Sequence, residues 1–210
     1  MERFTADNFE SLCHMLAKSD RHFKTVIKEY GIPPMWTRPN SFSSLVLTIL
    51  EQQVSIASAY AAYKKLKAKT GGITPARLLA LSDEDLRACY LSRQKIVYTR
   101  GLANAILSKQ IDLRKFRHQP DELIRAELKK LKGIGDWTVD IYLLHCLGRT
   151  DVFPLGDLAL VNSIKMLKKL PGASKEELLQ LSEAWKPYRS IATMIFWHYY
   201  IRKRNIKVLA

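Results

Sequence analysis

No stretch of this sequence stays apolar for the roughly 20 residues that a membrane-spanning helix needs. Its start, Met1-Glu2-Arg3-Phe4-Thr5, lacks the basic segment followed by an apolar one that marks a secretory leader. An intracellular, soluble protein is therefore the expectation, in the cytoplasm (nucleoid) of a bacterium or the nucleus of a eukaryote. Cysteine is scarce. Cys13, Cys89 and Cys146 stand far apart, with no CxxC pair and no metal-ligand spacing, and a four-cysteine iron–sulfur cluster is excluded. They read as reduced, mostly buried thiols. Strand-like alternation of apolar and polar residues is also missing, as are internal repeats and low-complexity segments.

Acidic residues are few against basic ones. Lys and Arg number 34 and Asp and Glu 20, a formal net charge of +14. Such a balance suits a polyanionic partner, usually nucleic acid, although a basic enzyme with a solvated surface has the same composition. Apolar residues form 47% of 210, enough for one sizeable core or two small lobes.

The apolar periods lie near 3.6 residues throughout, so an all-α protein of roughly ten helices is expected. One or two helices fill 6–30 and end at Gly31, before a loop from Pro33 to Asn40 that contains Trp36. Ser41 to Gln53 forms the next, and Ser55 caps another to about Lys69. Helices begin again at Thr74-Pro75, Ser82 and Ser92. Others cover 120–131, 137–147, 157–170, 174–185 and 187–203.

Between two of these helical patterns lies Leu131-Lys132-Gly133-Ile134-Gly135-Asp136-Trp137-Thr138. Paired glycines allow a tight turn and close approach to a ligand. The amides beyond them open a helix, a natural anion site. By itself this is more often a plain helix–helix connection. Some twenty residues on comes Asp151-Val152-Phe153-Pro154-Leu155-Gly156-Asp157-Leu158-Ala159-Leu160. Hairpin, Gly/Pro-rich loop and aspartate together resemble the helix-hairpin-helix superfamily of DNA glycosylases, and within it the DNA-3-methyladenine glycosylase II group. Ile49-Leu50-Glu51-Gln52-Gln53-Val54-Ser55 resembles the segment that enters DNA near the flipped base. Leu91-Ser92-Arg93-Gln94-Lys95 and Trp185-Lys186-Pro187-Tyr188-Arg189-Ser190 resemble two further family elements. The likeness covers about residues 35–202.

That resemblance implies a two-lobed all-α fold with the active site in the cleft between lobes. Residues 1–210 form a single catalytic unit, with one lobe from about 1–40 plus 150–210 and the other from about 41–149 carrying the hairpin at 131–138. It implies an enzyme that flips alkylated purines such as 3-methyladenine and 7-methylpurines out of double-stranded DNA and hydrolyses the base–sugar bond. Hairpin residues Leu131, Gly133, Ile134, Gly135 and Thr138 grip the DNA backbone, and Asp157 is the catalytic carboxylate. A fixed carboxylate stabilises the oxocarbenium-like charge that builds on the sugar as the bond breaks. An Asp at a helix start is also an ordinary N-cap. Trp137 and Trp197 match base-pocket aromatics, whose indole faces attract a cationic methylated base; one further family aromatic is here Ile141. Lyase-type relatives place a Schiff-base lysine where this chain has Trp137, so no strand cleavage is expected.

Gln53 maps onto the position that wedges into the duplex; from the residues alone a surface or interhelical amide is equally consistent. Glu51 and Asp136 put negative charge near DNA without evident reason. Asp140, Asp151, His145, His198 and Trp185 are expected to serve locally. No cofactor, side-chain metal site or membrane partner is implied, and a monomer is expected. A non-catalytic hairpin protein that binds DNA, or a glycosylase for hypoxanthine, uracil or an oxidised purine, is the competing reading.

Overall fold

The computed structural model describes residues 2–206. In chain order the helices are α1 (Ala6–Ser19), α2 (Arg21–Tyr30), α3 (Phe42–Glu51), α4 (Ile56–Thr70), α5 (Pro75–Leu79), α6 (Asp83–Ala88), α7 (Arg93–Leu107), α8 (Leu113–Phe116), α9 (Asp121–Leu128), α10 (Asp136–Leu147), α11 (Leu158–Leu167), α12 (Lys175–Ser182) and α13 (Arg189–Lys203), with a 3₁₀ turn at Glu183–Trp185. The chain is all-α among the described residues, apart from one isolated bridge between Arg3 and Arg149.

Most helix starts are written in the sequence. The side chains of Ser55, Thr74, Ser82 and Ser92 accept from backbone amides of the first turns of α4, α5, α6 and α7, which satisfies donors that have no partner within the helix. Three details depart from expectation. Among the described residues thirteen α-helices replace roughly ten, since short helices such as α8 carry too little periodic signal to be seen. The segment 157–170 ends as a helix at Leu167, where Lys169 turns left-handed (φ 57°). The segment 174–185 breaks after Ser182 into the 3₁₀ turn.

Two compact units divide the chain at 37/38 and 142/143, the second point lying inside α10 rather than after it. Among the described residues the first unit takes those up to Thr37 and from Leu143 on, with α1, α2, α11, α12 and α13. Its core is aromatic. Phe196 lies 5.0 Å from Phe23 and 5.1 Å from Trp185, ring centre to ring centre. Trp185 is buried, and its indole N–H donates to Asp20 at 3.2 Å, which bears out its expected packing role. Asp20 also caps α2 and pairs with Lys168 at 2.7 Å. Burial pushes its carboxyl up, but Lys168 and the cap amide outweigh this and hold it below the usual range.

The second unit, Arg38–Tyr142, is built round α3. Leu45, Val46, Ile49 and Leu50 of this helix are all at most 1% exposed, so it is apolar on every side and forms the centre of its unit. The polar side chain of Thr48 is tolerated there because it donates to the carbonyl of Ser44 at 3.1 Å. The ends of this central helix and of α9 set the positions of the segments that face solvent.

Candidate active site

The loop that carries Asp157 is tied to the start of α13. Arg189 donates twice to Asp151, at 2.7 and 2.9 Å. The amide of Val152 donates to the Ser190 hydroxyl, and the Ser190 amide to the carbonyl of Thr150, both at 2.9 Å. Pro154 then starts a tight turn closed by the Asp157 amide at 2.8 Å. These bonds place Asp157 along α13 from its anchored start, and the residue it meets is Trp197, two helical turns beyond Ser190.

Asp157 is the N-cap of α11: its Oδ1 accepts from the Leu160 amide at 2.8 Å. The same oxygen accepts from the Trp197 indole N–H at 3.0 Å. The capping role and the proximity to a tryptophan are thus both present in one side chain. Two N–H donors thus fix the position of this oxygen. Leu158, next in the chain, is 77% exposed, so the loop faces solvent where the aspartate lies.

Trp197 is buried in α13 and His145 of α10 stacks on it, 5.5 Å between ring centres and 17° from parallel. The Nδ1 of His145 is bonded to the carbonyl of Trp36, and the Trp36 ring stands edge-on to Trp197 at 6.5 Å. A carbonyl only accepts, so Nδ1 carries the proton. Sequence reasoning left Trp36 as a loop residue and His145 as a local one. The only available signal was a large aromatic in a loop between prolines; that both surround Trp197 depends on chain ends far apart in sequence. His198 bonds through Nε2 to the Tyr30 carbonyl at 3.0 Å, and burial lowers its pKa below the ordinary value.

The hairpin runs from the end of α9 into α10. Leu131 and Ile134 donate to the carbonyls of Leu128 and Leu131, both at 3.1 Å, which winds the chain into a compact turn. Gly133 takes φ +85°, and a Cβ there would sit 2.2 Å from the Tyr98 ring. Gly135 faces open space. The amides of Gly133 and Gly135 have no partner among the described residues, the arrangement that an anion such as a phosphate satisfies. Ile134 is buried as the anchor of the turn, Thr138 is buried in the first turn of α10, and Trp137 beside it is half-buried. Lys130 and Lys132 flank the turn in solvent. The negative charge of Asp136 has its explanation here: Lys129 donates to both its oxygens, at 2.7 and 2.9 Å. Asp140, buried at 7% exposure, pairs with Arg125. Burial nonetheless raises its pKa.

The loop after α3 carries Gln53, exposed and left-handed at φ 55°. Glu51 faces inward to the Arg38 guanidinium, which donates to Oε2 at 2.8 Å and also holds the other oxygen, so its charge is spent within the unit. The neighbour of Gln53 was missed. Gln52 donates from Nε2 to the Gly133 carbonyl at 2.8 Å and to the Thr138 hydroxyl at 2.9 Å. In the sequence the two glutamines are indistinguishable. The twist of the chain at the end of α3 decides which one turns inward.

Residues 46–187 match the HhH-GPD superfamily of base excision DNA repair proteins, and the chain belongs to this family. It is 29% identical over 93% of its length to the DNA-3-methyladenine glycosylase of Bacillus subtilis (69% of that protein), and 30% identical over 87% to DNA-3-methyladenine glycosylase 1 of Schizosaccharomyces pombe (83% of that protein). It spans 66% of another Bacillus subtilis relative, YfjP. The fold is similar to the Schizosaccharomyces pombe 3-methyladenine DNA glycosylase solved with abasic DNA, at TM-score 0.84, 26% identity and coverage of 95% and 100% of the two chains. The DNA-3-methyladenine glycosidase of Bacillus halodurans superposes at TM-score 0.75 with 32% identity, covering 98% and 95%.

Proposed function

We propose that this protein is a monofunctional DNA glycosylase that removes alkylated purines, 3-methyladenine and 7-methylpurines, from double-stranded DNA by hydrolysis. One observation carries the reading: the Asp157 carboxylate is held by the Trp197 indole N–H and the Leu160 amide, at 3.0 and 2.8 Å, in a loop strapped to α13. The names of the relatives from Bacillus subtilis and Schizosaccharomyces pombe support the same substrate class.

Breaking a purine–deoxyribose bond leaves positive charge on the sugar. A methylated purine is already cationic and departs as a neutral base, so no strong general acid is required. The transition state instead needs a fixed negative charge beside the sugar, and a carboxylate whose position is set by two N–H donors supplies it without reorganisation. Asp157 also accepts a proton from, or orients, the attacking water. Trp197, beside Asp157, offers an indole face to the cationic base, a contact worth about 2 kcal/mol when desolvated; Trp137 is the second base-pocket aromatic that the family resemblance implies. The hairpin amides of Gly133 and Gly135 hold a DNA phosphate, and Gln53 fills the space that the flipped base leaves. Trp137 stands where lyases carry a Schiff-base lysine, so the product is an abasic site in an unbroken strand. The enzyme acts as a monomer.

The test is incubation with dimethylsulfate-methylated duplex DNA and chromatography of released bases, beside Asp157→Asn and borohydride trapping. Release of methyladenine by wild type, its loss in Asp157→Asn and no trapped adduct are the expected results. A trapped adduct refutes hydrolysis by water. Tight duplex binding with no release from alkylated, uracil, hypoxanthine or oxidised substrates establishes a non-catalytic DNA-binding protein instead.

A further inference from the structure

The loop after α3 runs only from Gln52 to Ser55, and three separate contacts fix its first residue and the end of α3 before it to distant parts of the second unit. Lys95 Nζ, reaching from α7, donates to the Leu50 carbonyl at 2.7 Å and places a positive charge at the C-terminal end of α3. The Arg38 guanidinium grips Glu51. Gln52 Nε2 uses both its hydrogens, one on the Gly133 carbonyl and one on the Thr138 hydroxyl. Gly133 offers only an acceptor there, so the amide orientation of Gln52 is fixed. Its two partners lie in the hairpin turn itself and in the first turn of α10. One side chain therefore ties the turn to the start of α10. The next residue, Gln53, stands out into solvent.

We propose that Gln52 is a positioning residue that makes insertion of Gln53 into the duplex depend on the hairpin, with Lys95 holding the end of α3 from which the loop leaves. The inference rests on the reading of Gln53 as the wedge. Unstacking a base resists the wedge, and a short solvent-exposed loop carrying it yields unless the chain leading into it is held. With Gln52 locked to the turn, a hairpin seated on a phosphate and a wedge seated in the helix become one rigid body, so base displacement starts in register with backbone contact. Gln52 touches neither base nor sugar and acts only through its neighbour.

The experiment uses the full chain with wild type, Gln52→Met, Gln53→Ala, the double variant and Lys95→Met. One probe is a duplex with 2-aminopurine beside a tetrahydrofuran abasic analogue, whose fluorescence at saturating protein reports local unstacking whether or not any base is excised. A second is the single-turnover release of N7-methylguanine from an intact duplex and from one with a one-nucleotide gap opposite the lesion. Circular dichroism confirms folding.

Gln52→Met is expected to lose most of the fluorescence rise and to slow release from the intact duplex roughly tenfold. Most of that rate returns on the gapped duplex, where little unstacking remains to be driven. Gln53→Ala behaves alike, the double variant is no worse than the poorer single one, and Lys95→Met shows a milder form of the same pattern. A merely structural role lowers release equally on both duplexes, which overturns the proposal, as does an unchanged fluorescence rise in Gln52→Met while Gln53→Ala loses it. A full rise in Gln53→Ala removes the wedge reading itself, and the proposal with it. If Gln52→Met does not fold, a Lys95→Met variant equally slow on both duplexes also refutes the coupling.

Discussion

Replacing Gly133 by alanine tests whether the hairpin glycines serve geometry or approach. The residue sits at φ +85°, where an alanine costs about 1–2 kcal/mol of backbone strain. Its Cβ would lie 2.2 Å from two atoms of the Tyr98 ring and 2.4 Å from a third, so the ring must move, and forced repacking of this kind costs about 1–3 kcal/mol more. The sum, about 2–5 kcal/mol, is a large part of the ~5–15 kcal/mol that holds a typical protein folded. At about 2–4 °C per kcal/mol for a chain of this size, Gly133→Ala should melt roughly 10 °C below wild type. Gly135 has open space around it, so Gly135→Ala should leave the melting temperature nearly unchanged and weaken duplex binding, because the added methyl stands where a phosphate approaches. Thermal denaturation and fluorescence anisotropy with an undamaged duplex separate the two effects. Combining Gly133→Ala with Tyr98→Ala should restore part of the stability, since the steric portion vanishes and the φ strain stays. A Gly133→Ala protein that melts within about a degree of wild type, or strict additivity in the double variant, refutes the assignment of the ring contact as the constraint.

Trp197→Phe keeps a ring in place but removes the N–H that holds Asp157; single-turnover base release should fall about tenfold while the melting temperature moves little, and an unchanged rate removes the positioning role of the indole. Arg38→Met strands the Glu51 carboxylate in a site only 12% exposed, and the urea midpoint should report a loss of about 3 kcal/mol, most of it recovered in Arg38→Met/Glu51→Gln; a loss that the second change does not repair contradicts the pairing. His198 is buried and its pKa lies below that of the unfolded chain, so protons bind the unfolded state preferentially. Its contribution is complete above the unfolded value near ~6.5 and is lost as pH falls from there through the depressed folded value. His198→Gln should flatten that part of the melting-temperature profile, and an identical slope in the variant counts against it.

Much of this architecture is legible because it is local. The serines and threonine that cap helices, Gly31 and Gly71 at helix ends, and the 3.6-residue apolar period act within a few residues of themselves. The Gly133-Ile134-Gly135 turn and the Pro154-to-Asp157 loop are equally local, and the spacing between them, together with the motifs around them, was enough to mark the family. What the sequence could not convey is which distant side chains meet. Trp36 and His145 reach Trp197 from an early loop and a middle helix. Glu51 looked misplaced beside DNA until Arg38 was seen to hold it, and Asp136 until Lys129 was. Gln52 and Gln53 are the same residue type side by side, and composition cannot tell the one that bonds the hairpin from the one that faces solvent. Local sequence determines where each helix begins and which turns demand glycine, because those depend on backbone sterics and nearby hydrogen bonds. Partner choice among the polar side chains was decided only in three dimensions, because every buried donor and acceptor must find its complement among groups brought together by the packing of the whole chain.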